Sequence, residues 1–146
     1  MARILLVDDE PIIHDIIGRF LRRYEHVVVS AEDGVVALEV LQAQAADLVI
    51  ADIRMPRMDG LQLLAEINER WPGMPVIIVT GHGDDKMEAE ARRLGAVGFK
   101  AKPLGLSDLT DLITVYPGIA KGIRPTRSPH WRNSRPWIFN AFFNTF

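Results

Sequence analysis

The chain has 146 residues, 48% of them hydrophobic and 25% charged, which suits one domain with a short appendage. It has no cysteine, which excludes disulfides, thiolate metal centres and thiol catalysis, and no apolar run approaches the roughly 20 residues that span a bilayer. The net charge of −2 is unevenly spread: beyond Asp111 there is no acid but five bases (Lys121, Arg124, Arg127, Arg132 and Arg135), so residues 1–111 carry −7.

The N-terminus, MARILLVDDE, has one Arg and a short apolar run ending in acids. It reads as a buried strand rather than a signal peptide, and a cytoplasmic location is the expectation. That strand covers 3–8. A helix over 11–23 follows, with Pro11 suited to its first turn and Ile12, Ile13, Ile16, Ile17, Phe20 and Leu21 on one face. A strand over 26–30 leads to a helix over 33–44 that buries Val36, Ala37, Val40 and Leu41. After a strand over 47–51, a helix over 60–70 buries Leu61, Leu64 and Ile67 and stops before Trp71-Pro72-Gly73. A strand over 75–80, a polar Ala-rich helix over 84–94 ending at Gly95, and a strand over 97–100 come next. A fifth helix over 108–115 has Ser107 as its N-cap and Pro117 as its stop, and is short. The strands are β-branched and mostly unalternated, as strands covered on both faces should be. Five such βα units predict a doubly wound α/β domain over residues 1–116 with right-handed crossovers.

Residues 117–136 hold four prolines (Pro117, Pro125, Pro129 and Pro136) and read as linker. Phe139, Phe142, Phe143 and Phe146 then fall at helical spacing. The 117–146 segment is thus a basic, proline-containing linker with an aromatic tail. Three readings of it stand: a non-native end without function, a self-packing or oligomer contact, and a surface for another partner such as nucleic acid or a membrane.

Chemistry concentrates at the ends of the strands. Asp8-Asp9 follows ILLV, Asp52 follows LVIA, Thr80 follows VIIV, and Lys102 comes shortly after VGF. Residues just past the carboxyl ends of an open parallel sheet converge on one crevice. Three carboxylates gathered there repel one another unless a cation joins them, and hard oxygen ligands suit Mg²⁺. A hydroxyl and an ammonium beside them suit a phosphoryl group. The set is equipment for moving phosphate onto an aspartate. Glu10 extends the acidic run and reads as a solvated acid at the start of a helix. His14, His26 and His130 read as solvent-facing.

The strings LLVDDEP, ADIRMPRMDG, VTGHG and FKAKP occur in this order at the strand ends. With them, residues 1–116 resemble the receiver (CheY-like) domain of bacterial two-component response regulators. The resemblance implies a flavodoxin-like (βα)5 sheet of order 2-1-3-4-5. It implies Asp52 as phosphoacceptor, with phosphohistidine on a sensor histidine kinase or phosphotransfer protein as donor. Asp9 becomes the main Mg²⁺ ligand, joined by Asp8 directly or through water, by Asp52 and by the backbone carbonyl of Arg54. Lys102, before a Pro103 whose peptide bond is typically cis in the family, pairs with Asp52 and later with the phosphoryl oxygens; Lys100 lacks the Lys-Pro match. Thr80 bonds a phosphoryl oxygen, with Gly81 and Gly83 letting backbone pass close to it. Phe99 matches the switch aromatic, and Arg54 and His82 sit where side chains tune acyl-phosphate lifetime. Met55-Pro56 and Met58-Asp59-Gly60 form a turn that supports Asp52 without chemistry of their own.

The implied role is a phosphorylation-dependent switch, not an enzyme acting on an outside substrate. It signals through the face made by the fourth helix, fifth strand and fifth helix to a downstream protein effector, or by homodimerisation. The short fifth helix departs from the family pattern at that face. No helix-turn-helix pattern follows Tyr116, so nucleic acid is not the expected partner. The competing class is a haloacid-dehalogenase-type phosphatase, which also uses an Asp after an apolar strand. Such enzymes carry a D-x-D motif, whereas Asp8 and Asp9 are adjacent here and the key Asp comes from the third strand.

Overall fold

The computed structural model describes residues 2–81, 85–105 and 107–108. Within them the order is β1 (Arg3–Val7), α1 (Pro11–Arg23), β2 (Val27–Ala31), α2 (Gly34–Ala43), β3 (Leu48–Asp52), α3 (Gly60–Arg70), β4 (Val76–Thr80), α4 (Asp85–Arg93) and β5 (Gly98–Ala101). The strands form one parallel sheet in the order β2-β1-β3-β4-β5. This is the flavodoxin-like arrangement, and its element bounds fall within about a residue of those expected from periodicity. Most of the anticipated fifth helix and all of the 117–146 segment lie outside the described residues, as do His82, Gly83 and His130.

Each strand sends alternate side chains to opposite faces. Leu5, Val7, Val49, Ala51, Val76 and Ile78 join a core with Ala37, Leu41, Leu63, Leu64, Ile67 and Ala91, from α2, α3 and α4. Ile4, Leu6, Leu48, Ile50, Ile77 and Val79 join a second core with Ile17 and Leu21 of α1. Local chemistry sets the helix ends. Asp33 caps α2 by accepting from Val36 N–H at 2.9 Å. Asp59 and Gln62 form a reciprocal capping box on α3. Gly95, at φ 104°, turns the chain after α4 as a left-handed cap.

The burial departs from expectation in four places. On α1, Ile17 and Leu21 are buried but Ile12 and Ile16 are 60% and 54% exposed, so the apolar stripe is wider than the surface the sheet can cover. On α2 and α3, Leu38 and Leu63 are buried while Val36, Val40 and Leu61 are only partly so, which rotates each buried face by about one residue. β2 is an edge strand, and Val27 on it is exposed. His26 is buried, not solvent-facing: its Nδ1 accepts from Ala2 N–H at 3.1 Å, fastening the first residues of β1 to the start of β2.

Candidate functional site

β1, β3, β4 and β5 end at one rim of the sheet, and the loops that follow them bring the expected residues together. Asp52 is the last residue of β3 and Thr80 the last of β4; both are buried. Asp8, one residue past β1, is also buried, whereas Asp9 is exposed. The peptide bond between Lys102 and Pro103 is cis, and the Lys102 N–H donates to the Thr80 carbonyl at 2.8 Å.

The Lys102 ammonium sits among three carboxylates. Its Nζ lies 2.9 Å from Asp8 Oδ2, 3.1 Å from Glu10 Oε1 and 3.2 Å from Asp52 Oδ2. The floor beneath is apolar, formed by Leu6, Ile13, Ile17, Ile50, Val79 and Leu104. Burial over that floor pushes the Asp52 carboxyl above its ordinary range, the Asp8 charge adds to the push, and Lys102 partly opposes it. Burial works against the Lys102 ammonium as well. Hydrogen bonds to Asp8 and Glu10, with the charges of Asp52 and Asp8, outweigh it and hold the lysine firmly protonated.

One carboxylate oxygen from each of Asp8, Asp9, Glu10 and Asp52 lies within 4.8 Å of the others. An all-oxygen, acid-rich donor set with an exposed side fits Mg²⁺, which takes few protein ligands and keeps several waters. Glu10 is the residue that sequence reasoning undervalued. It is exposed, as expected, yet its carboxylate reaches Lys102 and the acid cluster. The signal was the uninterrupted Asp-Asp-Glu run.

His14 is half-buried rather than solvent-facing, and its Nε2–H donates to the Asp8 carbonyl at 2.6 Å, pinning the loop after β1. Lys100 stays out of the site: it is buried, with its ammonium 3.5 Å from Asp108. Gly81 faces open space, so nothing in this arrangement crowds the position. Gly60 is crowded. A Cβ there would collide with the Asp52 carbonyl oxygen and come within 2.9 Å of Ile53 Cα, and the Gly60 N–H donates to the Ile53 carbonyl at 2.8 Å. The start of α3 is thereby seated directly on the backbone of Asp52.

Arg54 is exposed in the loop after β3. Phe99 is fully buried in the core shared with α2, α3 and α4. It pairs in register with Ile78, two residues before Thr80, so Thr80 at the end of β4 and Lys102, one residue past β5, follow directly on the pair of strands that Phe99 packs.

The family profile of the response regulator receiver domain matches residues 4–114. The chain is 39% identical over 136 residues to the transcriptional regulatory protein GlrR of Escherichia coli, a match that covers 91% of this chain, and so runs past residue 116, but only 29% of GlrR. It is 36% identical to the receiver domain of NtrX from Brucella abortus, covering 81% of this chain and 98% of that one with a TM-score of 0.71. A CheY-like receiver domain protein from Methanospirillum hungatei superposes with a TM-score of 0.76 at 28% identity, covering 84% and 98% of the two chains. The chain spans under a third of the length of the curated regulator it matches.

Proposed function

The chain belongs to the response regulator receiver family of two-component systems, and from that premise we propose that Asp52 accepts a phosphoryl group from phosphohistidine on a sensor histidine kinase or phosphotransfer protein. Receiver domains are phosphoacceptor signalling domains rather than enzymes with an outside substrate. The observation that carries the assignment is the Lys102 ammonium held within 3.2 Å of both Asp8 and Asp52 over an apolar floor.

An Asp52 carboxylate oxygen attacks phosphorus, the new O–P bond forms, and the bond to the donor imidazole nitrogen breaks with its electron pair leaving on the imidazole. A carboxylate is already ionised at neutral pH, so no general base is needed. Asp8, Asp9 and Asp52, with the Arg54 carbonyl, would hold Mg²⁺, which when bound supplies positive charge to the equatorial oxygens of the loose transition state. Lys102 gives up its contact with Asp52 and follows the developing charge onto the phosphoryl oxygens. The Thr80 hydroxyl donates to another of them. Movement at Thr80 is passed to Phe99 and from there to the face around α4 and β5, where a downstream protein or a second copy binds. Arg54 and His82 set how readily water reaches the acyl phosphate.

Residues 1–116 form the receiver in this reading, and 117–146 a separate basic, proline-containing linker and aromatic tail, for which a non-native end, a self-packing or oligomer contact and a surface for another partner all stand. Among the described residues no helix is long and apolar enough to cross a membrane; a cytoplasmic location goes with the proposed donor.

The test is intact mass after incubation with Mg²⁺ and acetyl phosphate. Wild type should gain one phosphoryl group, and Asp52→Asn none. An unmodified wild type that nonetheless binds Mg²⁺ would sink the proposal.

A further inference from the structure

We propose that the ion pair between Asp33 and Arg57 is a positioning device for the acceptor loop and sets how tightly the site holds a divalent cation. This rests on the reading of Asp52 and its neighbouring acids given above.

Arg57 lies in the loop between β3 and α3, on the stretch that begins at Asp52 and ends at Gly60. Its backbone has φ 67°, a left-handed conformation that side chains other than Gly and Asn rarely adopt. Something must hold an arginine there. Its guanidinium forks onto one oxygen of Asp33, with Nε at 2.9 Å and Nη2 at 2.8 Å. Asp33 is a rigid anchor: it is buried, and its other oxygen caps α2 through the Val36 N–H. Burial pushes the Asp33 carboxyl up, but the Val36 N–H and the Arg57 hydrogen bonds and charge outweigh it and keep it ionised. Beside the pair, Met58 fills the notch left by Gly34, where a Cβ would meet Met58 Cγ at 2.8 Å.

The loop is therefore fixed at its base and at its tip. Its base is closed by Gly60 against Asp52 and Ile53, and its tip is tied to the start of α2 by Arg57. Arg54, whose carbonyl is assigned to the metal, lies between the two fixed points. Cutting the tip free leaves every metal-facing carboxylate in place. It lets the loop sample other conformations, which must be given up again when the cation binds.

Mg²⁺ alone is titrated calorimetrically into the full chain, with thermal melts of the metal-free protein in parallel. Arg57→Gly accepts φ 67° and removes the fork but also adds backbone freedom to the loop; Arg57→Lys keeps the charge without the planar fork; Asp33→Asn keeps a cap oxygen without the charge and adds no backbone freedom. We expect Arg57→Gly and Asp33→Asn each to weaken Mg²⁺ binding by about tenfold, the low end of what outer partners of a metal site contribute, with Arg57→Lys between them and wild type. The Arg57→Gly/Asp33→Asn double variant should bind no more weakly than either single one, because both remove the same tie. A merely structural pair lowers the melting temperature without touching affinity. Wild-type Mg²⁺ affinity in the variants that melt as folded proteins overturns the proposal. Failure of wild type itself to bind Mg²⁺ overturns the acceptor reading and this one with it, and is told apart by that first titration.

Discussion

Asp52 is held in a setting that opposes its own charge. Its carboxyl is raised by burial and by Asp8, and only partly relieved by Lys102. The unfolded chain therefore ionises this group more readily than the folded one, and folding is penalised wherever the native carboxylate is charged. The penalty is present at neutral pH and is relieved as pH falls through the raised native value towards 3.8. Asp52→Asn removes it at every pH. We expect this variant to melt at a higher temperature than wild type in metal-free buffer at pH 7 and to take no phosphate; a lower melting temperature would contradict the electrostatic account. The same balance explains why the pairing of Asp52 with Lys102 was legible in sequence. An aspartate ending the all-apolar strand LVIAD has no solvent to face and must find a cation, and the sequence supplied one at Lys102. The Asp33–Arg57 pair was not legible, because each partner alone reads as an ordinary cap and an ordinary surface arginine.

At the level of elements, α3 and α1 carry separate duties. α3 begins with its first residue pressed on the Asp52 backbone, so Gly60→Ala forces either the helix or the acceptor strand to shift. Overpacking of this kind costs about 1–3 kcal/mol, to be read from urea unfolding, and phosphorylation by acetyl phosphate should slow with it. α1 offers Ile12 and Ile16 to solvent immediately after the acidic loop. In the proposed transfer a donor protein reaches Asp52 from the open side of the site, and an apolar face beside it is a natural place to dock. Ile16→Ala should slow transfer from a phosphorylated donor protein while leaving transfer from acetyl phosphate unchanged; equal slowing in both assays would remove the docking role. The strands and helices were readable to within about a residue because the sheet is covered on both faces and reads as unbroken apolar runs. Which isoleucines of α1 are buried was not, since an all-apolar stripe does not say how much of it the sheet can cover.

Across the whole molecule, stability also depends on the end of the sheet remote from the site. His26 is buried there and its pKa is lowered, first by burial and then by the positive charge of the amino terminus. The folded state favours the neutral imidazole, whose Nδ1 accepts the Ala2 N–H. The unfolded chain binds more protons just below 6.5, so this contribution is complete above 6.5 and is lost as pH falls through the lower native value. The melting temperature should decline over that interval, and His26→Asn, which keeps an acceptor but cannot titrate, should flatten the decline. An unchanged slope would place the responsible group elsewhere. Nothing in a lone His between a helix and a strand announces this role, because the partner is a backbone N–H 24 residues away. The bonds at Lys102 reach further still, to Asp52 across 50 positions and to Glu10 across 92. During synthesis the four acids emerge long before their cation does. A nascent chain that has released only its first four strands has the acid cluster without the lysine that neutralises it, so the cluster is completed only after residue 102 has left the ribosome.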